Sequence, residues 1–275
     1  MHTYARDGLL LPVRDEGPRD GEAVVLLHGW PQTGAAYDAV VPALHAAGLR
    51  TLVPDQRGYA ATARPRGRRA YRLGEVVADA LALLDAAEVE RAHVVGHDWG
   101  GAVAWLLAGA HPDRLLSATV LSTPHPGALR TAALVGDQAL RSSYMGLLQL
   151  PALPEALLLA RGGAPLHRLL RASGLPERHA REYVARMREP GALSAALGWY
   201  RALPLAGGLG AGPARVPTTY LWGSRDAALG RTAAERTGEH VAADYRFEVL
   251  EGAGHWLPET RAGTVAAAVL ARVAG

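Results

Sequence analysis

Apolar residues along the chain gather into short unbroken runs, each closed by a cluster of turn residues. The clearest is Ala23-Val24-Val25-Leu26-Leu27, which ends in His28-Gly29-Trp30-Pro31. A strand with one wet face would alternate apolar and polar positions, whereas an uninterrupted run predicts a strand covered on both faces. Thr51–Pro54, Ala92–Gly96, Ser117–Leu121, Thr218–Trp222 and Tyr245–Leu250 repeat this form. Ala- and Leu-rich helical segments such as Glu75–Ala87 and Gly101–Ala110 lie between most of them. Strands alternating with helices predict an α/β fold on a mostly parallel sheet with helices on both faces.

Between Pro126 and about Pro213 the alternation stops. Several helical patterns follow one another with Pro and Gly punctuation and no convincing strand. The expected organisation is an α/β core formed by residues 1–125 and 214–275, with an inserted helical cap at 126–213. Ser122-Thr123-Pro124-His125-Pro126-Gly127 and Gly207-Gly208-Leu209-Gly210-Ala211-Gly212-Pro213 mark its two ends, both rich in turn residues.

Composition narrows the class. With 275 residues, 49% of them hydrophobic and 20% charged, the chain is long and apolar enough to bury a large core, which argues against disorder. The net charge of +3 looks basic, but all 29 Lys/Arg residues are Arg. Lys, Asn and Ile are absent, a bias that points to a GC-rich coding sequence more than to a basic binding face. Arg64-Pro65-Arg66-Gly67-Arg68-Arg69 carries Pro and Gly and no aromatic that could stack on bases, so a solvated loop is expected rather than nucleic-acid binding. The lack of Cys leaves no disulfide, thiol nucleophile or zinc–thiolate site. Nothing calls for a cofactor or a metal, although His and carboxylate ligation stays formally open. Met1–Asp7 lacks the form of a secretory signal and no stretch approaches the ~20 apolar residues of a membrane span, so cytoplasmic residence is expected.

The chemistry centres on Val94-Val95-Gly96-His97-Asp98-Trp99-Gly100-Gly101-Ala102. Strand, G-x-D-x-G and helix in succession have the form of a nucleophile elbow with Asp98 in the central place. Glycines flank such a residue because its tight turn leaves no room for side chains, and the helix N-terminus beneath favours negative charge. Taken alone, the pentapeptide also fits an ordinary turn with a helix N-cap Asp. Its partners favour the elbow. Asp226 follows the apolar run ending Leu221-Trp222-Gly223, and His255 follows the one ending Val249-Leu250, in the order nucleophile, acid, histidine. The loop His28-Gly29-Trp30-Pro31 would supply one oxyanion-hole amide, from Trp30, and Trp99 the other. His28 is expected to brace that loop, and the Trp30 and Trp99 side chains to wall the pocket.

Through H-G-W-P at 28–31, G-H-D-W-G-G at 96–101, W-G-S-R-D at 222–226 and G-A-G-H-W at 252–256, the chain resembles the epoxide hydrolases of the α/β-hydrolase superfamily along nearly its whole length. Asp55-Gln56-Arg57-Gly58-Tyr59 resembles that family's D-x-R-G-Y loop and is expected to be structural. In the cap, Ser143–Pro151 and Gly198–Arg201 resemble the segments that present two ring-opening tyrosines, which implies that role for Tyr144 and Tyr200. Leu147 and Trp199 are expected on the pocket wall, and Tyr183 in a structural place.

The resemblance implies a small-molecule epoxide and water as reactants, opened to a vicinal diol. Asp98 attacks carbon and becomes an ester while phenol O–H groups stabilise the departing oxygen. His255, oriented by Asp226, then activates water against that ester. Haloalkane dehalogenation shares the aspartyl ester, but the Asn amide often used to hold halide has no counterpart in a chain without Asn. Ester or lactone hydrolysis, and a ligand-binding homologue with a retired site, stay open as alternatives.

Overall fold

The computed structural model describes residues 1–205 and 211–275. Eight strands form one sheet: β1 (Thr3–Arg6), β2 (Leu9–Glu16), β3 (Ala23–Leu27), β4 (Arg50–Pro54), β5 (Ala92–His97), β6 (Leu115–Leu121), β7 (Thr218–Gly223) and β8 (Tyr245–Leu250). Their spatial order is β1-β2-β4-β3-β5-β6-β7-β8. The pairings from β4 to β8 are parallel, with Val25 opposite both Leu52 and Val94. Every residue of β3, β4, β5 and β7 is buried, as their continuous apolar runs predict.

The antiparallel pair β1–β2 at the sheet edge was not anticipated. Leu9-Leu10-Leu11-Pro12 does not alternate, and a Pro inside a run speaks against a strand. The available signal is Asp7-Gly8. Both residues adopt positive φ, 51° and 74°, as a two-residue hairpin turn requires.

Helices α1 (Val41–Ala46), α2 (Leu73–Ala86) and α3 (Trp99–Ala110) precede β6, and α4 (Pro126–Val135), α5 (Gln138–Arg141), α6 (Tyr144–Leu148), α7 (Leu153–Ala172), α8 (Glu177–Met187) and α9 (Ala192–Ala202) follow it. The run α7 is interrupted at Ala160–Gly163, where the backbone leaves helical geometry. After β7 come α10 (Arg231–Glu235), α11 (Leu257–Thr260) and α12 (Ala262–Val273). Successive strand residues point to opposite faces. Accordingly Val25 and Leu27 pack into one core with Val76, Leu83, Val103 and Leu107 of α2 and α3. Val24 and Leu26 pack into the other with Leu44 of α1 and Val265 and Val269 of α12. Each such side chain contributes about 1.5–3 kcal/mol by burial, so the double covering holds the strand ends in place.

From β3 the chain runs outward to β4 and then crosses back to β5 on the other side of β3. The carboxyl ends of β3 and β5 therefore flank the point where strand order reverses, the place where open α/β sheets bind ligands. Between β6 and β7 the described residues are helices and connecting turns, without a strand. The Gly-rich stretch Gly207–Gly210 expected near the end of this insertion lies outside the described residues. Among those described, no helix is long and apolar enough to cross a membrane.

Candidate active site

Asp98 stands between β5 and α3 with φ 53° and ψ −118°, a conformation that costs a non-glycine residue about 1–3 kcal/mol and persists only where its surroundings enforce it. They enforce it here by close approach. A Cβ on Gly100 would lie 2.1 Å from the carbonyl oxygen of Leu27, and one on Gly29 would lie 2.3 Å from Cβ of Asp98. The elbow and the loop after β3 are thus pressed together. Thr123 completes the seat, its hydroxyl donating to the Asp98 carbonyl at 2.8 Å.

The Trp30 amide donates to Oδ1 of Asp98 at 2.7 Å. On the other side Nε2 of His255 stands 3.7 Å from Oδ2. His255 Nδ1 lies 2.8 Å from Oδ2 of Asp226. The remaining Asp226 oxygen accepts the amides of Ala228 and Leu229 at 2.8 and 3.0 Å. The three residues predicted from chain order are therefore in one connected group. As the first residue of α3, Trp99 brings an amide free of intrahelical partners.

Electrostatics follow from this packing. Burial pushes the Asp98 carboxyl up, but the His255 and His97 imidazoles and the Trp30 amide outweigh it and hold the group below its ordinary value. Burial likewise pushes the His255 imidazolium down, and the Asp226 and Asp98 carboxylates outweigh it and hold the ring well above its ordinary value. The pair rests as carboxylate and imidazolium. His97 beneath them is pushed down to about 4, by burial first and then by His255.

His28 braces its loop: Nε2 accepts the Gln56 amide at 3.0 Å, and the ring meets Tyr59 edge-on with centroids 4.5 Å apart. Arg57 forms a buried fork with Asp79 at 2.6 and 2.7 Å. A polar chain that sequence reasoning did not single out runs behind the triad. His97 Nδ1 is 2.8 Å from Gln32 Oε1, Gln32 donates to Glu259 at 2.7 Å, and the Tyr183 hydroxyl donates to Glu259 at 2.8 Å. Burial pushes the Glu259 carboxyl up. No sequence motif marks Glu259, because its partners come from α8 and from the loop after β3.

A cavity of about 350 Å³ opens on Asp98, with Trp99, Leu129, Tyr144, Met145 and Tyr200 among its walls. Tyr200 is buried, its ring edge-on to Trp99 with centroids 4.9 Å apart. Tyr144 stands 6.3 Å from Tyr200 by ring centroid and is 42% exposed. Burial, and then the neighbouring Tyr144 and Asp98, push the Tyr200 phenol well up. Tyr144 is raised by burial and then by Asp98, an effect that solvent reaching its exposed part softens.

Three pocket expectations need correction. Leu147 is 46% exposed and does not line the cavity. α6 is barely longer than one turn, and Met145 and Leu148, three residues apart, take its inner face. Trp199 is sealed behind Trp99, 5.8 Å away by ring centroid, and its indole donates to the Arg57 carbonyl at 2.9 Å. The Trp30 ring rests near Tyr200 at 6.0 Å but is not on the cavity lining, and its indole N–H is buried with no acceptor among the described residues. Gln138 and Leu229, which no pattern marked, line the cavity instead. No cluster of three or more His, Cys, Asp or Glu residues able to hold a metal occurs among the described residues.

Comparison with known proteins agrees with this architecture. The profile of the alpha/beta hydrolase fold family matches residues 22–262. The AB hydrolase superfamily protein YfhM of Bacillus subtilis is 38% identical over 258 residues, 91% of this chain and 90% of that protein. Epoxide hydrolase A of Mycobacterium tuberculosis is 31% identical across 98% of this chain and 95% of its own length. The crystal structure of Epoxide Hydrolase A from Mycobacterium thermoresistibile superposes with a TM-score of 0.83 at 28% identity, covering 99% of this chain and 97% of that one. On sequence, fold and the elbow at the strand crossover alike, the chain belongs to the epoxide hydrolase family of the α/β-hydrolase superfamily.

Proposed function

We propose that this protein hydrolyses an epoxide to a vicinal diol through a covalent ester on Asp98, with the inserted segment 126–213 serving as the cap over the site. The observation that carries the reading is one cavity lined by both the Asp98 carboxylate and the phenols of Tyr144 and Tyr200. A nucleophile on one wall and two hydroxyl donors on another suit a ring whose carbon is attacked while its oxygen gathers charge.

With Oδ1 of Asp98 occupied by the Trp30 amide, Oδ2 is the attacking oxygen. It forms a bond to an epoxide carbon as that carbon's bond to oxygen breaks, and the departing oxygen takes a proton from one of the two phenols. Both phenols are raised above their ordinary value, so they enter the step protonated. The proton that His255 carries in the resting pair neutralises the phenolate.

Esterification also removes the charge of Asp98. His255 is held up by two carboxylates in the resting enzyme; with only Asp226 left, its pKa falls and the ring becomes a base. It takes a proton from water as the oxygen of that water attacks the ester carbon. The amides of Trp30 and Trp99 hold the oxyanion. Collapse releases the alkoxide, which takes the second proton of the water from the oxygen left on Asp98, and so restores the carboxylate; epoxide plus water gives diol with the enzyme regenerated.

A panel of terminal and internal epoxides, assayed for diol with the wild type and Asp98→Asn, tests the reading. Turnover by the wild type and none by the variant is expected. The Trp99 indole on the cavity wall favours a second reading, release of halide from a haloalkane by the same ester. Chloride production from chlorinated alkanes without diol from any epoxide would replace the first reading with the second.

A further inference from the structure

The loop that carries the acid is held from the cap side. Gln138 opens α5, is 3% exposed and lines the cavity. Both ends of its amide grip the segment just after Asp226: Oε1 accepts the Gly230 amide at 2.9 Å, and Nε2 donates to the Ala228 carbonyl at 3.1 Å. Arg141, at the other end of α5, donates to the carbonyls of Asp226 and Ala227 at 3.3 and 2.9 Å. Contact is close enough that a Cβ on Gly230 would stand 2.9 Å from Asp137 Oδ1. Inside the same loop, Asp226 Oδ1 takes the amides of Ala228 and Leu229, which aims Oδ2 at His255.

We infer that Gln138 and Arg141 are positioning residues for the hydrolytic half of the reaction, and that α5 couples the cap wall to the alignment of Asp226 with His255. The bond exchange of alkylation is made by the Asp98 carboxylate and the phenols, with His255 only returning a proton to the phenolate. Ester hydrolysis needs His255 to be oriented and supported by Asp226, whose loop is fastened from outside by α5. With α5 docked, the cavity is walled and the acid is in register; with α5 lifted, the cavity opens and the acid loop loses four hydrogen bonds. The inference rests on the covalent ester proposed above, and it adds a division of labour in which the bonds from one short helix to the acid loop serve the second step.

The kinetic signature is specific. Where alkylation is irreversible and hydrolysis is slow, kcat/KM reports alkylation and kcat reports hydrolysis. Arg141 does not line the cavity, so Arg141→Gln is expected to lower kcat and KM together and leave kcat/KM within about twofold, the fall in kcat being about tenfold for the lost positioning bonds. Gln138→Met keeps the side-chain length and removes both bonds to the loop. In single-turnover measurements at saturating epoxide it is expected to slow decay of the ester about tenfold more than it slows ester formation, since this cavity-lining side chain is present in both steps. Circular dichroism confirms that both variants are folded. A proportional loss in kcat and kcat/KM for Arg141→Gln, or equal slowing of both half-reactions or of neither in Gln138→Met, overturns the inference. A wild-type protein that turns over epoxide without an ester on Asp98 overturns the reading beneath it instead.

Discussion

Replacing His255 with Gln separates the two half-reactions most sharply, and the geometry sets the size of the effect. The imidazolium stands 3.7 Å from Oδ2 of Asp98. At an effective dielectric near 20 this favours the carboxylate by about 4 kcal/mol. Asp98 starts below the ordinary carboxylate value, and the Trp30 amide remains in place after the substitution. Loss of the imidazolium lets burial push the carboxyl up, the Trp30 amide holds against that rise, and the assay is run at about pH 8 to favour the carboxylate. Alkylation is expected to persist within about tenfold. Hydrolysis loses its base, a loss of about 10²–10⁴-fold, so the ester accumulates. The variant is incubated with an epoxide that the wild type accepts, quenched in acid and weighed intact, and the adduct is mapped to a peptide containing Asp98. A companion measurement runs a single wild-type turnover in ¹⁸O-water: the oxygen added to the first diol comes from Asp98 and is unlabelled. No adduct on the variant, or solvent label in the first diol, refutes the aspartyl ester.

Other outcomes follow from the same geometry. Tyr144→Phe and Tyr200→Phe each remove one donor to the developing alkoxide and are expected to slow alkylation by about 10²-fold, with the double variant slower than either; unchanged burst rates in both singles would remove the phenols from the mechanism. Asp98 is held below its ordinary value, while in the ester form His255 has lost one of the two carboxylates that raise it. Near about pH 5 alkylation continues and hydrolysis stalls on a protonated His255, so wild-type ester trapped by acid quench should grow as the pH falls; a constant amount from pH 8 to 5 contradicts this order of titration. Gly29→Ala drives a Cβ to 2.3 Å from Asp98 Cβ, which should cost at least about 1–3 kcal/mol, lower the melting temperature by a few degrees and abolish alkylation.

How much of this was legible in the sequence depended on what each residue answers to. Asp98 sits between glycines that backbone contact demands, so its neighbours in the chain announce it. Asp226 follows β7, whose apolar run is unmistakable because both faces are covered, whereas β8 before His255 corrects the expectation of a doubly covered strand: it lies at the sheet edge with Arg246 and Glu248 exposed. Tyr144 and Tyr200 had no such local signature. They were reached by resemblance, and both do line the cavity. Leu147 and Trp199 lie beside them in the chain yet face elsewhere, because a one-turn helix and a sealed indole obey tertiary packing rather than periodicity. The edge hairpin β1–β2 escaped for a related reason: an edge strand need not be apolar throughout, and its one firm signal was the Asp7-Gly8 turn.

The same distinction explains why the clamp on the acid loop was invisible. Gln138 and Arg141 donate to backbone carbonyls, and Gln138 accepts from the backbone amide of Gly230. Every residue has a carbonyl, and every residue but Pro has an amide N–H, so such partners leave no mark on the sequence at the receiving end. The sender is a short polar helix, read most simply as surface. Only folding brings residue 138 against residue 230, and the two meet just past the carboxyl end of the strand that delivers Asp226. A core of strands and elbows can therefore be read from local pattern. The coupling of an inserted segment to that core is written in hydrogen bonds to main chain, and it has to be seen in three dimensions before variants such as Arg141→Gln can be chosen to test it.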